Sequence, residues 1–236
     1  MTTRAAGIPK DKILPILLAE NAEPGINLAL AIASTALLHK KTWDNHDYAT
    51  HWLHVAGVDL EHLSDEEKII GILHDVVEDS DWEVEDLEAL GFSPRICQGV
   101  DNVTKQKGEK YFDAIERCSG DPMSRKIKMR DNKHNMDLTR SIHGATIKQQ
   151  FWYQISYHYL KAVDKGQITA GTPIWKFLAM PQFSKLLAKD GDIESPAFVS
   201  IARNATSHPA PAALIERFGN PYQTVAERMP SLTPQS

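Results

Sequence analysis

The run Leu73-His74-Asp75-Val76-Val77-Glu78-Asp79 gathers one imidazole and three carboxylates within six residues. An imidazole lone pair beside carboxylates can ligate a divalent cation or move a proton. Wound at 100° per residue, a helix through this run places His74, Asp75, Glu78 and Asp79 over roughly 140° of one side. Ile69, Ile70, Leu73, Val76 and Val77 then gather on the other. His74 and Glu78 are one turn apart, as are Asp75 and Asp79. Acidic helix faces are ordinarily just solvated, and the chain carries its own control. His46-Asp47 is a second His-Asp pair, but it follows the turn-like Trp43-Asp44-Asn45 and has no carboxylate pair at the same offset. No role is assigned to His46. What distinguishes His74-Asp75 is a pair of outlying partners: His51 in Tyr48-Ala49-Thr50-His51-Trp52, and Asp131 in Lys128-Met129-Arg130-Asp131-Asn132-Lys133-His134-Asn135.

Taken together, these segments resemble the HD-domain phosphohydrolases, specifically the hydrolase domain of the RelA/SpoT alarmone enzymes and the small single-domain alarmone hydrolases. That family reads, in order, Tyr-x-x-His-Pro, His-Asp-x-x-Glu-Asp, Val-Thr-Lys and Lys-x-x-Asp-x-x-x-Asn. The counterparts are Tyr48-x-x-His51-Trp52, His74-Asp75-Val76-Val77-Glu78-Asp79, Val103-Thr104-Lys105 and Lys128-x-x-Asp131-x-x-x-Asn135. The resemblance covers residues 26–165. Trp52 replaces the family's Pro, and Lys40-Lys41 stand where the family usually has Arg-Lys.

The resemblance implies a metal centre of His51, His74, Asp75 and Asp131. Two imidazoles and two carboxylates without a thiolate suit Mn²⁺, Fe²⁺ or Zn²⁺, and the resemblance favours Mn²⁺. Such a set leaves positions open for water and a phosphate oxygen. Glu78 and Asp79, beside the ligands, are placed to orient or deprotonate an attacking water. Lys40, Lys41, Thr104 and Lys105 would meet phosphates, and Asn135 the ribose or a phosphate of the substrate. Lys lacks the planar guanidinium that stacks on a base, so Lys40 and Lys41 speak for phosphate attraction rather than for guanine selectivity. His54 reads as a supporting or surface side chain, and His134 as a packing residue as readily as a catalytic one.

The elements that must position these groups read as helices. Sustained strand alternation and internal repeats are absent from the sequence. Ile26 to Lys41, rich in Ala and Leu, predicts a buried helix, and Tyr48 to Ala56 a short second one. Ser64-Asp65-Glu66-Glu67 has capping-box form and predicts the start of a helix running continuously to about Glu78. Ser93-Pro94 predicts another start, with Pro in the first turn. Further helical patterns cover 109–118, 123–138 and 146–164, then Trp175 to Leu178, Pro196 to Asn204 and Pro211 to Phe218. The stripe Phe151, Trp152, Ile155, Tyr159 and Leu160 reads as core. Glu83-Val84-Glu85-Asp86-Leu87-Glu88 reads as a solvated acidic face. No Gly/Ser linker divides the chain. The expectation is an all-α protein, an HD-type helical bundle over 1–165 with a helical C-terminal extension over 166–236, its tail from Gly219 loosely ordered.

Composition narrows the partners. The 236 residues are 42% hydrophobic and 24% charged, with 26 Lys+Arg against 31 Asp+Glu, a formal charge of −5. An acidic chain without a long basic stripe argues against nucleic acid, because phosphate neutralisation needs excess Lys and Arg. Thirteen acids and one base, Lys68, fall within residues 59–90, so the rest of the chain is net basic. A small, highly phosphorylated nucleotide held between a divalent cation and a few lysines suits that distribution. Cys97 and Cys118 are too few for a disulfide framework or a four-thiolate zinc site. They read as buried thiols in a reducing cytosol. The longest apolar stretch, Ile26 to Leu38, falls short of the about 20 residues a spanning helix needs, so no membrane partner is expected. Pro15 and Glu20 interrupt the signal-like start. Through the resemblance, the expected reaction is removal of pyrophosphate from the 3′ position of ppGpp or pppGpp. The competing expectations are an HD phosphohydrolase for another nucleotide and a catalytically silent alarmone-binding or scaffold domain.

Overall fold

The computed structural model describes residues 7–42, 45–57, 62–137 and 147–180. Its elements, in chain order, are α1 (Lys10–Ala19), α2 (Ile26–Ala36), α3 (Ala49–Val55), α4 (Asp65–Leu73), α5 (Val76–Asp79), α6 (Val84–Ala89), α7 (Pro94–Val103), α8 (Tyr111–Cys118), α9 (Pro122–Asn135), α10 (Ile147–Asp164) and α11 (Ile174–Ala179). The fold is all-α: among the described residues there is no strand, only an isolated bridge between Lys41 and Asp47. No helix of the described residues is long and apolar enough to cross a membrane. The helices expected at Pro196 to Asn204 and Pro211 to Phe218, and the tail from Gly219, lie outside the described residues.

Local chemistry starts the helices where the side chains can cap them. Ser64 Oγ accepts from the Glu67 N–H at 3.2 Å while Glu67 Oε2 accepts from the Ser64 N–H at 2.8 Å, a reciprocal capping box at the start of α4. Ser93 Oγ accepts from the Ile96 N–H at 3.3 Å to start α7, and Pro94 in the first turn gives up an N–H that would have no helical partner. Asp121 caps α9 in the same way through the Ser124 N–H at 2.8 Å, with Pro122 next. Such caps contribute about 1 kcal/mol each.

Two differences from the sequence expectation matter. The helix from Ser64 is not continuous to Glu78; it stops at Leu73 and resumes at Val76. The Gly71 carbonyl, which an unbroken helix would offer to the Asp75 N–H, accepts from His74 Nδ1 at 2.8 Å, and Asp75 stands just before α5 without a side-chain cap. His74 therefore turns inward and is 1% exposed, rather than lying on a solvated face. The acidic run at 83–88 is not merely a solvated face either. It forms α6, whose first turn is capped by Asp86 accepting from the Glu83 N–H at 2.8 Å, and it buries Leu87 completely.

Two apolar clusters flank the site. The larger joins α2, α3, α4 and α7 through residues such as Ile32, Val55, Ile70, Leu73 and Val100, and takes in Ile127 of α9. The smaller joins α8, α10 and α11 through Phe112, Tyr159, Leu160, Ile174 and Phe177, with Met129 of α9 against it. Full burial of each such side chain contributes roughly 1.5–3 kcal/mol. The stripe on α10 behaves as read at Ile155, Tyr159 and Leu160, which are core. Trp152 is only half-buried and faces the pocket described below. Cys97 and Cys118 are free and buried. Burial pushes both thiols up, Cys118 to about 12, so neither is a ready thiolate.

Candidate metal centre

Three separate stretches deliver the donors: α3 carries His51, the break between α4 and α5 presents His74 and Asp75, and α9 carries Asp131. His51, His74 and Asp131 are buried, and their ligand atoms all lie within 4.8 Å of one another. The two Nε2 atoms are 3.2 Å apart, and His51 Nε2 is 3.3 Å from Asp131 Oδ1. Asp75 Oδ2 approaches His74 Nε2 at 3.1 Å and His51 Nε2 at 3.6 Å, which puts the fourth expected ligand beside the other three. Donors bound at about 2.1 Å to one ion sit about 3.0–3.4 Å apart. The closer pairs here match that, His74 Nε2 to Asp131 Oδ1 is wider at 3.8 Å, and the cluster could hold a metal ion. His74 donates from Nδ1 to the Gly71 carbonyl, which leaves the Nε2 lone pair turned to the cluster.

The helices that hold these donors are themselves tied together. Arg130 of α9 donates from Nε to the Val55 carbonyl at 2.8 Å and from Nη2 to the His54 carbonyl at 2.6 Å. It thereby caps the C-terminal carbonyls of α3 and fixes His51 relative to Asp131 one residue further along α9. Lys128 Nζ pairs with Asp131 Oδ2 at 2.8 Å, and Asn135 Nδ2 donates to Asp131 Oδ1 at 2.6 Å. Tyr48 donates its hydroxyl to Asp75 Oδ2, and the Lys40 ammonium lies 3.7 Å from the centre of the Tyr48 ring. Lys40 also pairs with Asp79.

The charges support one another. Burial opposes ionisation of Asp75, but His74, Lys40 and His51 outweigh it and hold the carboxyl well below its usual range. Asp131 is also buried, and Lys128 with the two imidazoles holds it below its usual range. Burial likewise works against the Lys128 ammonium, and Asp131 and Glu78 reverse that, keeping it charged far above neutrality. Asp79 moves the other way. Burial and the neighbouring Asp75 charge raise its proton affinity, with Lys40 only partly offsetting them. Burial, then the charges of Asp75 and Asp79, keeps the Tyr48 phenol protonated and therefore a donor.

His51, Asp75 and Asp131 line a pocket of about 340 Å³, within the usual size range for small-molecule sites, and His74 lies buried behind them. Lys40, Glu78, Asp79, Lys105 and Asn135 all line the pocket. Lys41 lines it too, but its ammonium pairs with the exposed Asp47. One placement corrects the expectation. Thr104 does not line the pocket: it is 4% exposed and its hydroxyl donates to the Val100 carbonyl at 2.8 Å, the next turn of its own helix. Asn135 lines the pocket and donates from its amide to Asp131 Oδ1, which steadies that carboxylate. His46 stays outside, exposed in the turn that Thr42 closes.

Several contributors were given no definite role from sequence, among them Lys128, quoted only within a motif, and His134, read as packing or catalytic alike. Lys128 and His134 flank Asp131 at three residues on either side, a spacing that puts all three on one helix face and was available to be read. Tyr48 stood in the quoted motif without a role. Tyr111 and Tyr153 line the pocket from α8 and α10, and no motif marked them. Compared with models of known protein families and with curated proteins, the chain gives no match to either. What the fold and site establish is an all-helical protein with a buried His51, His74, Asp131 cluster that can bind a metal ion.

Proposed function

We propose that this protein is a metal-dependent nucleotide phosphohydrolase of the HD type, acting on ppGpp or pppGpp to remove the 3′ pyrophosphate. The observation that carries this reading is the convergence of His51, His74, Asp75 and Asp131 from three stretches of chain on one cluster, of which His51, Asp75 and Asp131 line a pocket that lysines also line. A bound Mn²⁺ or related ion would polarise a phosphoryl oxygen and lower the pKa of a bound water.

The chain's own groups supply the rest. Lys105 presents an ammonium with no ion pair among the described residues, free to meet a phosphate, while its backbone N–H is held by Glu78 Oε2 at 3.2 Å. Asp79, with its raised proton affinity, is suited to accept a proton from water, since a base works best when its pKa approaches the working pH. Lys40 sits between Asp79 and Asp75 and ties that base to the donor cluster. Lys128 and Asn135 hold both oxygens of Asp131, so the ligand cannot swing away.

A second reading, the same chemistry on another phosphorylated nucleotide, is favoured by Lys40 and Lys41, neither of which offers a stacking guanidinium. The test is incubation of the purified protein with ppGpp and Mn²⁺ beside a panel of dNTPs, monophosphates and adenine alarmones. Metal-dependent pyrophosphate release from ppGpp, lost in Asp131→Asn, is the expected result. Hydrolysis of another nucleotide alone would replace the substrate and keep the class. Tight Mn²⁺ binding with no hydrolysis across the panel would overturn the enzyme reading in favour of a silent binding domain.

A further inference from the structure

The two imidazoles of the cluster hold their outer nitrogens differently. His74 Nδ1 faces the Gly71 carbonyl at 2.8 Å, an acceptor with no proton to give, so the tautomer is set by the backbone. His51 Nδ1 instead faces another imidazole nitrogen, Nδ1 of His134, at 2.7 Å. One of that pair must donate. If His134 donated, the His51 proton would sit on Nε2, the atom that faces His74, Asp75 and Asp131, and His51 could not ligate. If His134 accepts, His51 carries its proton on Nδ1 and turns a lone pair to the cluster. His134 is 7% exposed; its ring is stacked on His54, 4.0 Å and 18° away, and meets His51 edge to edge in nearly the same plane, with centroids 4.9 Å apart and the rings 23° from parallel. The stacking fixes the plane in which Nδ1 meets His51.

We infer that His134 is a positioning residue that sets the tautomer of His51 and through it the metal affinity of the centre. The inference rests on the metal-centre reading above. His134 would carry its own proton on Nε2 and accept at Nδ1, the role that the Gly71 carbonyl plays for His74. His54 completes the device by holding the His134 ring, with no donor atom of its own in the cluster.

The test is Mn²⁺ titration of the full chain followed by electron paramagnetic resonance, which reads binding without turnover. Asn places its Oδ1 where His134 holds Nδ1, so His134→Asn is expected to bind Mn²⁺ within about threefold of the wild type. His134→Gln puts its amide at the wrong depth, and His134→Leu fills the space without an acceptor. Both are expected to bind about 10–100-fold more weakly, the usual loss when the hydrogen-bond partner of a ligating His is removed. Circular dichroism melts identify any variant that has lost its fold, and the Asn and Gln pair then decides the matter. Equal Mn²⁺ affinity in Leu and wild type, or equal loss in Asn and Leu, would overturn the inference. A wild type that binds no divalent ion would overturn the metal-centre reading itself, and that result is visible before any variant is made.

Discussion

Gly71→Ala is expected to damage the metal centre from a position that offers no side chain to it. Gly71 lies in α4 where α3 crosses it, and an added Cβ would stand 2.8 Å from Ala56 Cα, 3.0 Å from Ala56 N and 3.2 Å from the Val55 carbonyl carbon. These are backbone atoms and cannot rotate aside. Carbon atoms pack at about 3.5 Å or more, so α3 and α4 must part by roughly 0.7 Å. Overpacking of this kind costs about 1–3 kcal/mol, and the better helix propensity of Ala returns about 1 kcal/mol. The net loss of about 1 kcal/mol lowers a urea midpoint by roughly 0.5 M. The larger effect falls on the metal. His51 rides on α3 and His74 follows α4, with their Nε2 atoms 3.2 Å apart. A shift of roughly 0.7 Å exceeds the ±0.2 Å tolerance of a ligand set, so Mn²⁺ binding is expected to weaken at least about tenfold. Gly99→Ala is the control. Its Cβ meets Ile70 Cδ1 at 2.3 Å, the end of a side chain that can repack, and α7 carries no donor. It should lose stability and keep its Mn²⁺ affinity. Urea titration and calorimetric Mn²⁺ titration of both variants check this. A Gly71→Ala protein with unchanged urea midpoint and Mn²⁺ affinity would refute the close-packing argument.

Lys105→Ala is expected to raise KM for a phosphorylated nucleotide about tenfold, the lower end for a charge-assisted hydrogen bond, and to leave Mn²⁺ affinity unchanged. Steady-state kinetics beside metal titration measure both, and an unchanged KM would remove Lys105 from the substrate site. Stability should fall in acid for reasons outside the centre. Glu67, Glu109 and Asp121 are penalised by burial, yet Lys126, Arg117 and the Ser124 cap with Arg95 hold their carboxyls below the ordinary values of 4.5, 4.5 and 3.8. A carboxyl depressed in the folded state stabilises fully above its unfolded pKa and loses that contribution as pH falls through the folded one. The urea midpoint should therefore drop as pH is lowered from about 5 toward 3, and less steeply in Glu109→Gln. A midpoint flat across that window in the wild type would contradict these ion pairs.

Much of this protein was legible in one dimension because the signals are local. Ser64 with Glu67, Ser93 with Pro94 and the apolar spacing of α10 act within a turn or two of chain, and the helices begin where those residues cap them. The residue types that make up the buried His51, His74 and Asp131 cluster were also readable, since a candidate metal site is defined first by which atoms can donate. Tertiary structure decided which partners each group meets. Thr104 turns to its own helix because a buried hydroxyl must find an acceptor, and the Val100 carbonyl is one turn away. His74 breaks its helix by taking the Gly71 carbonyl, a choice that makes sense only once α3 brings His51 to the same point. Lys128 and His134 draw their meaning from contacts made by Asp131 and His51, and the latter is 83 residues from His134 along the chain. Residue types and short spacings state what a chain can do chemically. Burial and long-range packing choose among those possibilities, because only they determine which polar atoms lose water and must find one another.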